Sequence, residues 1–152
     1  MNVRRSALIL AAVAFALPSL AADDPVFGNF TLDAAHSTGG ERCAVFSLDD
    51  LGNGKFRYSE TRVPAEGVVQ HQDGIFAFDG GDHSDGAGGT AAFTRIDEQR
   101  YVLVTKGTVH ATAMRTLTDD GATLTENADG VDDGEAFHAS RVFTRGIGTC
   151  EP

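Results

Sequence analysis

All 18 glycines of the chain fall after residue 27, and they cut it into short runs. Glycine is among the poorest helix formers, and no stretch past residue 22 repeats its apolar residues at helical spacing. Thr, Val and Phe recur instead between clusters of Gly, Asp and Asn. That is the punctuation of an all-β protein. Strands are predicted over 27–32, 41–48, 55–62, 68–78, 90–96, 100–106, 108–117, 122–126 and 135–144. Asn53-Gly54 suits the positive-φ positions of a tight hairpin, and Gly74 suggests a bulge. Residues 79–89 and 127–134 read as Gly- and Asp-rich connections. About nine strands joined in sequence favour an antiparallel up-and-down meander, closed as a barrel or folded as a β-sandwich.

The first 21 residues belong to another category. Arg4 and Arg5 precede an unbroken apolar run from Ala7 to Leu17, Pro18 breaks it, and Ser19-Leu20-Ala21 follows with small residues at the two recognition positions. This is the pattern of a secretory signal peptide cleaved after Ala21, and the run is shorter than the roughly 20 residues that span a bilayer. The expected organisation is a signal peptide at 1–21 and one all-β domain at 22–152. The expected location is periplasmic or secreted, without stable membrane insertion. Two cysteines, Cys43 and Cys150, suit a single disulfide in an exported chain. Losing Arg4 and Arg5 with the leader takes the net charge from -10 to -12. So acidic a domain is a poor partner for nucleic acid, which is held by Lys and Arg on phosphate.

Little in the sequence carries reaction chemistry. The five histidines (His36, His71, His83, His110 and His138) show no H-x-H or H-E-x-x-H spacing, so no metal and no cofactor is expected. The acidic stretches at 79–86 and 127–135 do not place oxygen ligands as a calcium loop requires. No Gly-x-Ser-x-Gly elbow occurs, and a bridged cysteine is not a nucleophile. The chain reads as a non-enzyme. Arg57, Arg95, Arg115 and Arg141 all fall within strands, and the reading for them is outward pairing with surface acids. Arg95 shares phase with Phe93, and Arg141 with Phe143, so these two are the inward candidates.

One stretch, Gly28-Asn29-Phe30-Thr31-Leu32-Asp33, resembles the Gly-x-Trp-x-Leu-Asn opening of a family of small exported bacterial lipocalin-like domains. Phe93-Thr94-Arg95-Ile96-Asp97, Asp120-Gly121-Ala122-Thr123-Leu124-Thr125 and Val142-Phe143-Thr144-Arg145 are similar to later family elements in the same order. Phe30 stands where the family prefers Trp. The resemblance spans about residues 28–145 and implies a lipocalin-like (calycin-like) barrel that binds a small apolar molecule at its mouth. The lining residues expected are Phe56, Tyr58, Phe76, Phe78, Phe93, Tyr101, Phe137 and Phe143, with Arg95 or Arg141 as polar anchor. The alternative is a structural or interaction protein of the cell envelope, with a filled core and acidic loops. Ligand identity and protein partner are not legible.

Overall fold

A computed structural model describes residues 24–150; the expected leader lies outside the described residues. Ten strands follow one another: β1 (Gly28–Leu32), β2 (Glu41–Gly52), β3 (Lys55–Pro64), β4 (Gln70–Ala77), β5 (His83–Ser84), β6 (Thr90–Arg95), β7 (Arg100–Lys106), β8 (Val109–Leu117), β9 (Thr123–Asp132) and β10 (Glu135–Arg145). A short 3-10 turn, Ala34–His36, follows β1. The strands form one antiparallel sheet in the order β4-β3-β2-β1-β10-β9-β8-β7-β6-β5. The Asp73 N–H donates to the Asp85 carbonyl at 3.2 Å, which brings β5 against β4. The sheet thereby becomes a nearly closed barrel, and the sandwich alternative falls. Closure removes the exposed strand edges that an open sheet must otherwise protect.

Three details differ from the sequence reading. Residues 127–132, read as a connection, continue β9, which pairs with both β8 and β10; only Asp133 and Gly134 make the turn, both at positive φ. A segment flanked on both sides can hold Asn, Asp and Gly in a strand, because context outweighs strand propensity. Gly74 is not a bulge, since β3 and β4 keep register through it. A Cβ there would lie 2.7 Å from the Phe76 ring and 2.8 Å from the Ser84 carbonyl oxygen. Glycine is needed at this position because β5 and an aromatic ring approach the backbone closely. Finally, β5 lies inside a stretch read as a loop.

Period-2 alternation puts one face of each strand inside. Around the end that carries the β2–β3 hairpin, the interior is aromatic. Phe30, Phe56, Tyr58, Phe76, Phe93, Tyr101 and Phe143 are all essentially buried. Phe30 stacks on Phe46 at 4.9 Å, Phe56 on Phe78 at 4.5 Å, and Phe76 lies 4.9 Å from Phe93. Ring pairs in this range add about 0.5–1.5 kcal/mol each beyond area burial. The Arg145 guanidinium lies 4.7 Å above Phe30, so a cation covers this ring.

Beyond β10 the chain runs along the outer wall. Gly146 N–H donates to the Asn29 carbonyl at 2.9 Å, and the Cys43–Cys150 disulfide fastens the tail to β2, as the cysteine count suggested.

Candidate functional site

Above the aromatic half, toward the end that carries the β9–β10 turn, the interior changes character. Arg115 of β8, Glu126 of β9 and Arg141 of β10 are register partners across three adjacent strands. All three point inward because they share phase with buried apolar residues: Arg115 with Ala113 and Leu117, Glu126 with Leu124 and Ala128, Arg141 with Ala139 and Phe143. Across the barrel, β3 adds Glu60 and Arg62, one and two inward steps above Tyr58, and the start of β2 adds Glu41.

These six side chains form one ionic layer. Arg115 Nε donates to Glu126 Oε2 at 2.6 Å, and Arg141 Nη1 to Glu126 Oε1 at 2.8 Å. Arg141 Nε reaches Glu41 Oε1 at 2.9 Å. Arg62 lies 2.8 Å from Glu60 and 3.4 Å from both Glu41 and Glu126. Arg115 is fully buried and extends its remaining nitrogens to the Tyr58 hydroxyl at 3.1 Å and the Tyr101 hydroxyl at 3.4 Å, 4.4 Å above the Phe46 ring. An isolated buried charge would be prohibitively costly, and pairing with further hydrogen bonds is what makes this layer tolerable.

Protonation equilibria reflect the same geometry. Burial opposes ionisation of Glu126, but Arg115, Arg62 and Arg141 outweigh it and hold the carboxyl far below the ordinary range. Burial likewise works against Glu41, and Arg141 with Arg62 keeps its carboxyl lowered. The Tyr58 and Tyr101 hydroxyls are pushed up, chiefly by burial. At neutral pH Glu126 and Glu41 are therefore carboxylates, and Tyr58 and Tyr101 are neutral phenols.

Above the ionic layer the inward positions include Ala91, Ala111, Ala113, Ala128, Gly130 and Ala139; Ala91, Ala113, Ala128 and Ala139 are buried, and buried Leu103 of β7 stands beside Ala113 in the same row. Ala113, Ala128 and Ala139 sit side by side across β8, β9 and β10, and the next row holds Ala111, Gly130 and Phe137. The Phe137 ring lies over Gly130, where a Cβ would approach it to 2.8 Å. Two depressions mark the outer surface. One, of about 130 Å³, lies between the tail and the outer wall at Asn29, Val45, Ser59 and Ile147. The other is an open hollow at Thr118, Asp119, Asp120 and Thr123. Neither lies inside the barrel.

The residues expected from sequence to line a site divide between the two halves. Phe56, Tyr58, Phe76, Phe93, Tyr101 and Phe143 pack on one another in the aromatic half, with Phe78 partly buried beside them. Phe137 stands at the mouth. Arg95 is held at the opposite end by Asp24, with contacts of 2.7 and 2.9 Å. Arg141 belongs to the ionic layer. The outward reading of the strand arginines fails for Arg115 and Arg141, both buried, whereas Arg57 does face solvent. Glu41, Glu60, Arg62 and Glu126 were not anticipated. Glu60, Arg62 and Glu126 share phase with buried neighbours, but their charge argued for solvent; Glu41 is out of phase with Ala44, Phe46 and Leu48 and turns inward through the irregularity between Glu41 and Cys43.

In the acidic stretch at 79–86, Asp82 pairs with Lys106 of β7 at 2.7 Å, and the other aspartates serve local turns. Asp79 accepts the Gly81 N–H, and Asp85 accepts those of Ala87 and Gly89. Among the described residues no group of three or more His, Cys, Asp or Glu is placed to hold a metal.

No family model and no curated protein sequence matches the chain. Its fold is similar to solved structures of the fluorescent protein UnaG. The wild type matches at TM-score 0.54 and 11% identity, over 81% of this chain and 98% of that one. A point mutant matches at 0.53 and 12%, over 82% and 99%. The siderocalin Ex-FABP matches at 0.46 and 14%, over 83% and 77%. At such identities the likeness concerns the fold, a calycin-like barrel.

Proposed function

We propose that the chain is an exported, non-enzymatic binding domain that holds a small apolar or amphipathic molecule in the mouth half of its barrel. The observation that carries this is the contrast within one interior. Aromatic rings fill one half, while above the ionic layer most inward positions on β8–β10 are small: Ala113, Ala128 and Ala139 in one row, Ala111 and Gly130 in the next. Small-molecule sites are concave and mostly apolar, with a few convergent polar groups, and barrel mouths are a recurrent place for them. Here the alanines are the apolar wall and the ionic layer is the polar floor. Half-buried Phe137, resting on Gly130, is the side chain that a guest would displace. Export rests on the leader pattern at 1–21, and it predicts a mature protein that begins at Ala22.

The test is binding of Nile red, a neutral fluorophore, to the folded protein. Binding at one to one is expected, with loss on Ala128→Phe, whose ring would occupy the mouth. Binding unchanged by that substitution would place the dye elsewhere and refute the mouth.

The second reading, an envelope interaction protein with a filled core, is favoured by the mutual packing of the aromatic half. It predicts no dye binding by the wild-type protein.

A further inference from the structure

The tail carries an apolar side chain that the fold does not use. Ile147 is 88% exposed, more than any other large hydrophobic residue among those described. Its backbone, in contrast, is held on both sides. Gly146 N–H donates to the Asn29 carbonyl at 2.9 Å, and the Thr31 hydroxyl donates to the Gly146 carbonyl at 3.2 Å. Gly148 sits so close to the wall that a Cβ there would lie 2.7 Å from the Thr31 methyl. Two residues on, Cys150 is bonded to Cys43 of β2. A side chain presented from so fixed a backbone loses little freedom when it is covered.

Beside it lies its complement. The groove of about 130 Å³ between tail and wall is lined by Asn29 of β1, Val45 and Ser47 of β2, and Ser59 and Thr61 of β3. These are register neighbours on the outer face: Asn29, Ser47 and Ser59 form one row, and Val45 and Thr61 stand in the next. A cavity of about 150 Å³ admits benzene, so the groove has room for one aliphatic side chain. No side chain lining it is charged. In a chain of net charge -10 this decides how a second copy can approach, since two acidic surfaces repel unless they meet where carboxylates are absent. Where the wall does become charged, Arg57 has Asp49 as its register partner and lies 3.9 Å from Asp73.

We infer that this face is a contact between two copies of the chain, related by a two-fold axis, with Ile147 of each copy seated in the groove of the other. Knob and groove occur side by side on one chain, so the patch is complementary to itself, which is the condition for an isologous pair that closes at two. One side chain and one groove per copy place the contact at the small, weak end of protein interfaces, so it forms in concentrated protein.

Sedimentation equilibrium of the mature folded protein tests this. The weight-average mass is expected to rise from monomer toward dimer between about 10 μM and about 1 mM. Ile147→Ser changes an exposed residue and is expected to weaken association at least about tenfold, because the side chain is buried twice in each pair. Ser59→Lys fills the groove with a chain and a charge and is expected to do the same. Added salt is expected to strengthen the pair, because it screens the repulsion between two acidic copies. Monomer mass at every concentration would overturn the inference, and so would a dimer that survives either Ile147→Ser or Ser59→Lys. A dimer that salt dissociates would be an ionic contact made elsewhere, and would overturn it as well.

Discussion

Glu126→Gln removes the charge on which the ionic layer converges. The amide keeps the shape but leaves three arginines facing two glutamates, and it turns an NH2 group toward one of the two buried guanidiniums that flank it. The wild-type carboxylate is 2.6 Å from Arg115 and 2.8 Å from Arg141, so Arg115 loses its shortest ionic contact and Arg141 keeps only Glu41. Breaking a buried pair from one side costs about 3–5 kcal/mol, because the remaining charge stays desolvated. For a domain of this size, roughly 3–5 °C of melting temperature accompanies each kcal/mol. A drop of about 10–20 °C follows. The protein carries its own probe: it has no Trp, and its two tyrosines, Tyr58 and Tyr101, both approach Arg115. Tyrosine fluorescence during urea unfolding therefore reports on this layer. Replacing both ends, as Arg115→Met with Glu126→Leu, is expected to cost less than Glu126→Gln alone, since an apolar pair leaves no bare charge. A loss below about 1 kcal/mol for Glu126→Gln, within the range of exposed pairs, would refute the reasoning.

Three more expectations follow from the same structure. Glu126 and Glu41 have carboxyls lowered in the folded state. Their stabilisation is complete above the ordinary carboxylate range and is lost as pH falls; urea midpoints should be flat from about pH 8 to 5 and decline below about 4.5, and midpoints that rise on acidification would contradict this. Cys43→Ser with Cys150→Ser opens a loop of 107 residues and should cost up to about 4–5 kcal/mol by the chain-entropy model. The far-ultraviolet circular dichroism should be retained, because β1 and β10 stay paired without the bridge; loss of the strand signal would contradict it. Gly74→Ala places a methyl against the Phe76 ring and the Ser84 carbonyl and should destabilise by about 1–3 kcal/mol, read by urea unfolding; a neutral result would show that β5 moves away freely.

The strands were legible because alternation and turn residues agree along most of the chain, as in β7 and β10. The ionic layer was not. Arg115 stands in phase with Ala111, Ala113 and Leu117, which marks it as inward, yet a lone arginine in an acidic chain suggests solvent. Only register resolves this, by setting Glu126 between Arg115 and Arg141, and register is a property of three strands together. The length of β9 escaped for a related reason: Asn127-Ala128-Asp129-Gly130 has the composition of a turn, and it is a strand because β8 and β10 flank it. Barrel closure depends on the two residues of β5, too short to show any periodicity. Alternation along β8 sets Ala111 and Ala113 on one face. That Ala113 and Ala128 belong to one row with Ala139 emerges only from the pairing.

The central claim is that the mouth half of the barrel holds a small molecule, and native mass spectrometry of protein purified gently from its host tests it most directly. The account predicts a mature mass beginning at Ala22 together with a one-to-one adduct of a small organic molecule, lost in Ala128→Phe. A bare protein mass in repeated gentle preparations, with Ala128→Phe indistinguishable from wild type, would contradict it.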